Sequence, residues 1–190
     1  MREFKSIEEK ILDRALYLIG KNRTLNISVR AIAKEADVNV SAINYYFRTK
    51  EEMMRQVKEL YIINTLSITS ILTDETMEAE ERLVNSINET MEYIIRYPGI
   101  SVLTKDAKEK EDTTSVRLLE ISNEMTGKIN LLLDTVLAGT ENIDYKRIIF
   151  WSSINLSIDD NGVDHINLIF LEDYKQRIAY IRQLLTILKK

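Results

Sequence analysis

The chain has 190 residues, 45% of them hydrophobic, enough for one domain of moderate size or a small domain joined to a larger one. It has no Cys and a single His, His165. This excludes disulfides, thiol catalysis, thiol-based redox sensing and zinc sites built on cysteines or several histidines. The net charge of −4 is uneven: residues 1–60 hold 12 Lys and Arg against 9 Asp and Glu, while the remaining 130 hold 14 against 21.

A mildly basic head on an acidic body would let one end face phosphates. One Pro and five Gly leave few chain breakers, which favours long helices over a sheet. No stretch approaches the roughly 20 apolar residues of a membrane span. The opening residues MREFKSIEEK lack the apolar core of a signal peptide. The expectation is a cytoplasmic protein with no membrane segment.

In chain order, Ser6 and Glu9 fit a capping box that opens a first helix. Ile7, Ile11, Ala15, Leu18 and Ile19 then line one face, and Gly20 is expected to end it. Ser28 caps a second short helix to about Ala36, Asp37 to Asn39 make a turn, and Asn39 caps a third helix ending near Phe47. Thr49 and Glu52 form another capping box, opening a long fourth helix.

Leu83, Ile87, Met91 and Ile94 stripe a fifth helix that stops at Tyr97-Pro98-Gly99, with Pro98 suited to begin a shorter sixth. Residues 105–112 are densely charged and read as a surface loop or helix end. Leu118, Ile121, Met125, Ile129, Leu132 and Val136 stripe a seventh helix, closed by Gly139. An eighth covers about Ile143 to Asn155, Asp159 to Gly162 form a turn, and the last runs from about Leu171 to Leu188. The expected fold is all-α, about nine helices, with no repeat and no low-complexity tract.

Residues 28–47 have the spacing of a helix-turn-helix, whose second helix enters the major groove of DNA. Ala33 is small where two helix backbones must approach, and Ile32, Ala36, Val38 and Ile43 supply the apolar inner faces. The sharp turn falls on Asp37, where glycine is commonest but Asp tolerates a left-handed backbone.

The wider pattern joins Ile11, Leu12, Ala15, Leu18 and Ile19 to Val29, Arg30, Ile32, Ala33, Ala36 and Val38. It continues through Ile43, Asn44, Tyr45, Tyr46, Phe47, Lys50, Glu51 and Glu52. Over residues 6 to 60 this pattern resembles the TetR family of transcriptional regulators, in order and spacing as well as residue type.

The resemblance implies a DNA-binding head at residues 1–50 and a helical ligand-binding and dimerisation body at 51–190. It implies that Ser28 binds a phosphate, that Val40, Ser41, Ala42 and Asn44 point from helix three into the major groove, and that Asn39 at its start is also a DNA contact. Tyr45 and Tyr46 would meet the backbone through their hydroxyls, Lys50 would pair with another phosphate, and Ile43 and Phe47 would be core. Hydroxyls, an amide and an ammonium are groups that bind phosphates and base edges. The chain departs from the family at Val40, where a basic residue is frequent, and at Tyr46, where a histidine is usual.

The implied partners are a palindromic double-stranded operator, a second copy of the chain and a small, largely apolar effector that relieves repression. No cofactor or metal is implied. The effector's candidate contacts are Tyr61, Thr65, Met91, Met125 and Trp151, although such residues on helical stripes are more often core. The candidate dimer surface is the last two helices, through Ile148, Trp151, Tyr174, Ile178, Ile181 and Leu185. His165 reads as a loop or surface residue.

An enzyme is not expected: there is no Gly-rich phosphate loop, nucleophile elbow or paired metal-ligand spacing. The alternative reading is a helical protein-interaction module that binds no DNA.

Overall fold

The computed structural model describes residues 4–98, 100–155 and 169–190. Among these residues the architecture is all-α. The helices are α1 (Ile7–Asn22), α2 (Val29–Glu35), α3 (Val40–Tyr46), α4 (Lys50–Leu72), α5 (Ala79–Arg96), α6 (Ser101–Lys108), α7 (Thr113–Val136), α8 (Ile143–Asn155) and α9 (Tyr174–Leu188). A short 3-10 turn over Ile169–Glu172 precedes α9. The expected turn at residues 159–162 and His165 lie outside the described residues. No described helix is long and apolar enough to cross a membrane.

Side-chain caps set several helix starts. Ser6 Oγ accepts from the Glu9 amide at 3.0 Å, Ser28 Oγ from Ala31 at 3.1 Å, Asn39 Oδ1 from Ala42 at 2.7 Å and Thr49 Oγ1 from Glu52 at 3.1 Å. Each satisfies one amide that has no partner within its helix. Asp173 does the same for Gln176 at 3.0 Å, so α9 begins at Tyr174, later than the apolar pattern from Leu171 indicates.

Two boundaries differ from the sequence expectation. Gly20 does not end α1, which runs on to Asn22, and the left-handed residue that closes it is Arg23 at φ 51°. Gly20 instead answers a packing need, since a Cβ there would stand 2.1 Å from the carbonyl oxygen of Pro98. Pro98 lies in the turn before α6 and not in its first turn; Ile100 is the N-cap.

The chain divides into two compact units. The first joins Met1–Asn64 with Tyr97–Ile121, the second Thr65–Arg96 with Ser122–Lys190. In the first, Ile11, Ala15 and Ile19 of α1, Ile32 and Ala33 of α2, Ile43 of α3 and Met53 of α4 are buried.

Buried polar links also tie the 97–121 segment into that unit. The Tyr97 hydroxyl donates to buried Asp13 at 2.5 Å. Lys58 Nζ, buried on α4, donates to Ser115 Oγ at 2.8 Å and pairs with Asp106 at 2.9 Å. A buried ammonium persists only when paired in this way.

In the second unit one apolar cluster runs through α5, α7, α8 and α9, including Leu83, Ile87, Met91, Ile129, Phe150, Ile181 and Leu185. Buried Arg177 crosses that unit. Its guanidinium donates to Asn88 Oδ1 at 3.0 Å, to the carbonyls of Leu171 and Glu172 at 3.0 and 2.8 Å, and to Glu92 at 2.7 Å. It thereby fixes the 3-10 turn and α9 against α5.

Candidate nucleic-acid interface

The residues of α3 are poor intrinsic helix formers: Val, Ser, Asn and Tyr all trail Ala, the one strong former among its seven residues. The helix holds because Asn39 caps it and because Ile43 and Phe47 are anchored in the core at 2% exposure each. Between α2 and α3 the Asp37 backbone is left-handed at φ 52°. There the Val38 amide donates to the Ala33 carbonyl at 3.0 Å and the Asp37 amide to Lys34 at 3.2 Å. Ala33 is buried between the helices, as a close crossing requires.

With Ile43 and Phe47 turned inward, the other side of α3 faces solvent. Val40 is 38% exposed and Tyr45 82%, Ser41 and Asn44 are exposed, and Ala42 and Tyr46 are half-buried. The Tyr45 and Tyr46 rings meet edge to face at 5.2 Å between centroids, which limits the freedom of both hydroxyls. Ser28 and Asn39 accept backbone amides as caps, leaving the Ser28 hydroxyl proton and the Asn39 amide group available to donate outward. Lys50, half-buried, opens α4.

Three further cations lie outside the candidate DNA contacts, although Arg30 belongs to the wider pattern. Arg30 and Lys34 on α2 and Arg48 after α3 are exposed, and with Lys50 they have no ion-pair partner among the described residues. Most charged residues are simply solvated, so sequence does not mark these as contacts; their lack of carboxylate partners among the described residues appears only in the fold. One turn further along α4 the charges are already spent on each other. Glu52 accepts from Arg55 at 2.7 and 2.9 Å and from Gln56 at 2.8 Å, and these bonds hold its carboxyl down at about 2. The unpaired cations around α3 suit a polyanion.

The five candidate effector contacts fall in packed interior. Tyr61 is buried in the first unit, and Thr65 is buried at the start of the second. Met91 is fully buried in the second unit's core, with Met125 and Trp151 packed against it. The Trp151 indole donates to Asn130 at 2.8 Å and its ring meets Phe150 edge to face at 5.7 Å. None of the five lines the described clefts, of about 440 Å³ beside Lys50 and Met54, 420 Å³ beside Leu12 and Ile63, and 320 Å³ beside Asn85 and Glu89.

The candidate dimer residues separate into two groups. Ile181 and Leu185 are fully buried within the chain's own core, which corrects their placement on an outer surface: their stripe on α9 closes the second unit. Ile148 and Tyr174 stand 65% and 54% exposed, while Trp151 and Ile178 are half-buried. Exposed Tyr145, Ile149 and Ile187 add to the outer apolar surface of α8 and α9.

Comparison with known proteins bears directly on the head. Residues 11–57 match the family described as bacterial regulatory proteins, tetR family. A curated protein of Bacillus subtilis (strain 168), "Probable HTH-type transcriptional regulator YttP", is 32% identical over 90 residues; the match spans 46% of this chain and 44% of that protein. The fold is similar to solved structures over nearly the whole chain. A TetR-family transcriptional regulator from Bordetella parapertussis 12822 aligns at a TM-score of 0.67 and 15% identity, over 97% of this chain and 95% of that one. The ketosteroid transcriptional regulator KstR2 of Mycobacterium tuberculosis aligns at 0.68 and 15%, over 98% and 95%. The helix-turn-helix of residues 28–47 thus lies inside the segment, residues 11–57, that is similar to bacterial regulatory proteins of the tetR family, and this chain spans less than half the length of the curated relative it matches.

Proposed function

We propose that the chain is a sequence-specific DNA-binding transcriptional regulator that represses its target and is released by a small-molecule effector. The observation that carries this reading is the division of α3 into a buried anchor, Ile43 and Phe47, and an exposed polar face within residues 11–57. A bundle helix needs the anchor but has no use for the face. In this reading Asn39, Val40, Ser41, Ala42 and Asn44 meet base edges. Ser28, Tyr45, Tyr46 and Lys50 hold phosphates, with Arg30, Lys34 and Arg48 adding counter-charge. The protein works in the cytoplasm, on the chromosome.

Two copies present two recognition helices to a palindrome with half-sites about 34–36 Å apart. The dimer face in this proposal is the outer surface of α8 and α9, centred on Ile148, Ile149 and Tyr145. Ile148→Glu should give monomers by light scattering without unfolding the chain, because that side chain is 65% exposed.

The functional division we propose is a DNA-binding head at 1–50 and an effector-responsive body at 51–190. Within the body, Met91, Met125 and Trp151 are the proposed effector contacts; since they are packed, a ligand must open the core there. Trp151, the only tryptophan, then reports binding by its fluorescence.

The test is fluorescence anisotropy of the DNA flanking the chain's own gene. Nanomolar binding at low salt that resists excess unrelated DNA supports the reading. Equal competition by unrelated DNA, or no binding, refutes it. An effector that works as proposed loses affinity when operator is present, by the factor it takes from DNA binding.

A further inference from the structure

The face that α3 turns outward carries no side chain that grips both major-groove acceptors of guanine. Residues 38 to 47, VNVSAINYYF, include no Arg, Lys, His, Gln, Asp or Glu. Guanine presents two acceptors in the major groove, and the side chains that grip both are Arg and Lys. The exposed set on α3 is different in kind. Val40, 38% exposed, and half-buried Ala42 offer methyl groups, which suit the thymine methyl. Exposed Asn44 offers an acceptor and a donor side by side, which suit the N6 and N7 of adenine. Ser41 bonds to either kind of pair. Arg30, Lys34, Arg48 and Lys50, which have no ion-pair partner among the described residues, all lie outside α3.

We propose that the base pairs beneath α3 in each half-site are A·T pairs, with adenine opposite Asn44 and thymine methyls against Val40 and Ala42. This inference rests on the reading of the chain as a sequence-specific DNA-binding regulator and adds the chemical class of the sequence it reads. The two methyl-bearing side chains and the one amide are all neutral. Discrimination under α3 therefore comes from shape and paired hydrogen bonds, and salt dependence comes from the cations around it.

The experiment is selection from a pool of duplexes with a randomised 24-base-pair centre, using the full-length chain. It is repeated with Val40→Ala and Asn44→Ala; both side chains are exposed, so both variants should fold as the parent does. The expected outcome is an enriched inverted repeat. Its positions that lose preference in either variant are A·T, and replacing one such pair by G·C weakens binding about 5- to 150-fold in the parent chain. Enriched G·C pairs at the variant-sensitive positions overturn this inference while leaving the regulator reading intact. So does an enriched motif that neither variant alters, because α3 would then not be the reader. A pool with no enrichment overturns the regulator reading and this inference with it.

Discussion

The two helix pairs that matter most, α2–α3 in the first unit and α8–α9 in the second, are both rich in apolar residues, yet they differ in how clearly sequence divides inside from outside. In α2–α3 the two isoleucines, Ile32 and Ile43, go into the core, Val29 is half-buried, and what stands exposed is polar, charged or small apart from Val40 and Tyr45. In α8–α9 apolar residues occupy several sides. Phe150, Ile154, Ile181 and Leu185 are buried, while Ile148, Ile149 and Ile187 are exposed. A helix needs a single apolar stripe to pack on one core. Apolar residues beyond that stripe carry information about a second surface, and the fold is needed to tell the two sets apart.

Stability and binding measurements can break or sharpen this contrast. The largest effect is expected at the anchor of the head: Phe47→Ala should cost about 3–5 kcal/mol of stability in chemical denaturation, since the ring is 2% exposed. Tyr45→Ala, one face away, should change stability by less than about 0.5 kcal/mol and still weaken DNA binding. Next comes the polar anchor of the body. Arg177→Ala strands Asn88 and the carbonyls of Leu171 and Glu172, a loss of about 3 kcal/mol. The half-exposed Glu92 adds little to it.

Gly20→Ala should cost about 1–3 kcal/mol by the same assay, because the new methyl meets the Pro98 carbonyl, a backbone group with little room to move. Lys50→Ala should leave stability alone, weaken binding to all DNA sequences alike and lower the slope of log affinity against log salt by about one per protomer. A small gain is expected at the turn. Asp37→Gly should raise stability by up to about 1 kcal/mol, the left-handed backbone being free of penalty for glycine. A loss there would mean that the Asp37 side chain does more than turn the chain.

What the sequence disclosed follows from how local each cause is. Caps at Ser6, Ser28, Asn39 and Thr49 act within four residues, and each formed the hydrogen bond its position implies. The left-handed Asp37 and the buried Ile43 and Phe47 follow from one helix-turn-helix spacing. Gly20 misled because its cause is distant: it is spared a Cβ by Pro98, nearly 80 residues on.

Lys58 gave no signal for the same reason, being an ordinary α4 lysine until Asp106 and Ser115 close over it. With Tyr97 and Asp13 it shows why residues 97–121 join the head's compact unit, which no composition boundary marks. Ile181 and Leu185 have the same period and chemistry as an interface stripe would. Burial decided between the two.

The central claim, that the outer face of α3 reads DNA, is tested most directly by footprinting the DNA that flanks the chain's own gene with two proteins, the parent and the Asn44→Ala, Tyr45→Ala double variant. Circular dichroism should first show the two equally helical and equally resistant to heat, since both side chains are exposed. The parent should then protect an inverted repeat whose half-sites lie about 10 base pairs apart, centre to centre, and the variant should protect nothing at the same concentration. Equal protection by both proteins, or no protection by either, would contradict the account.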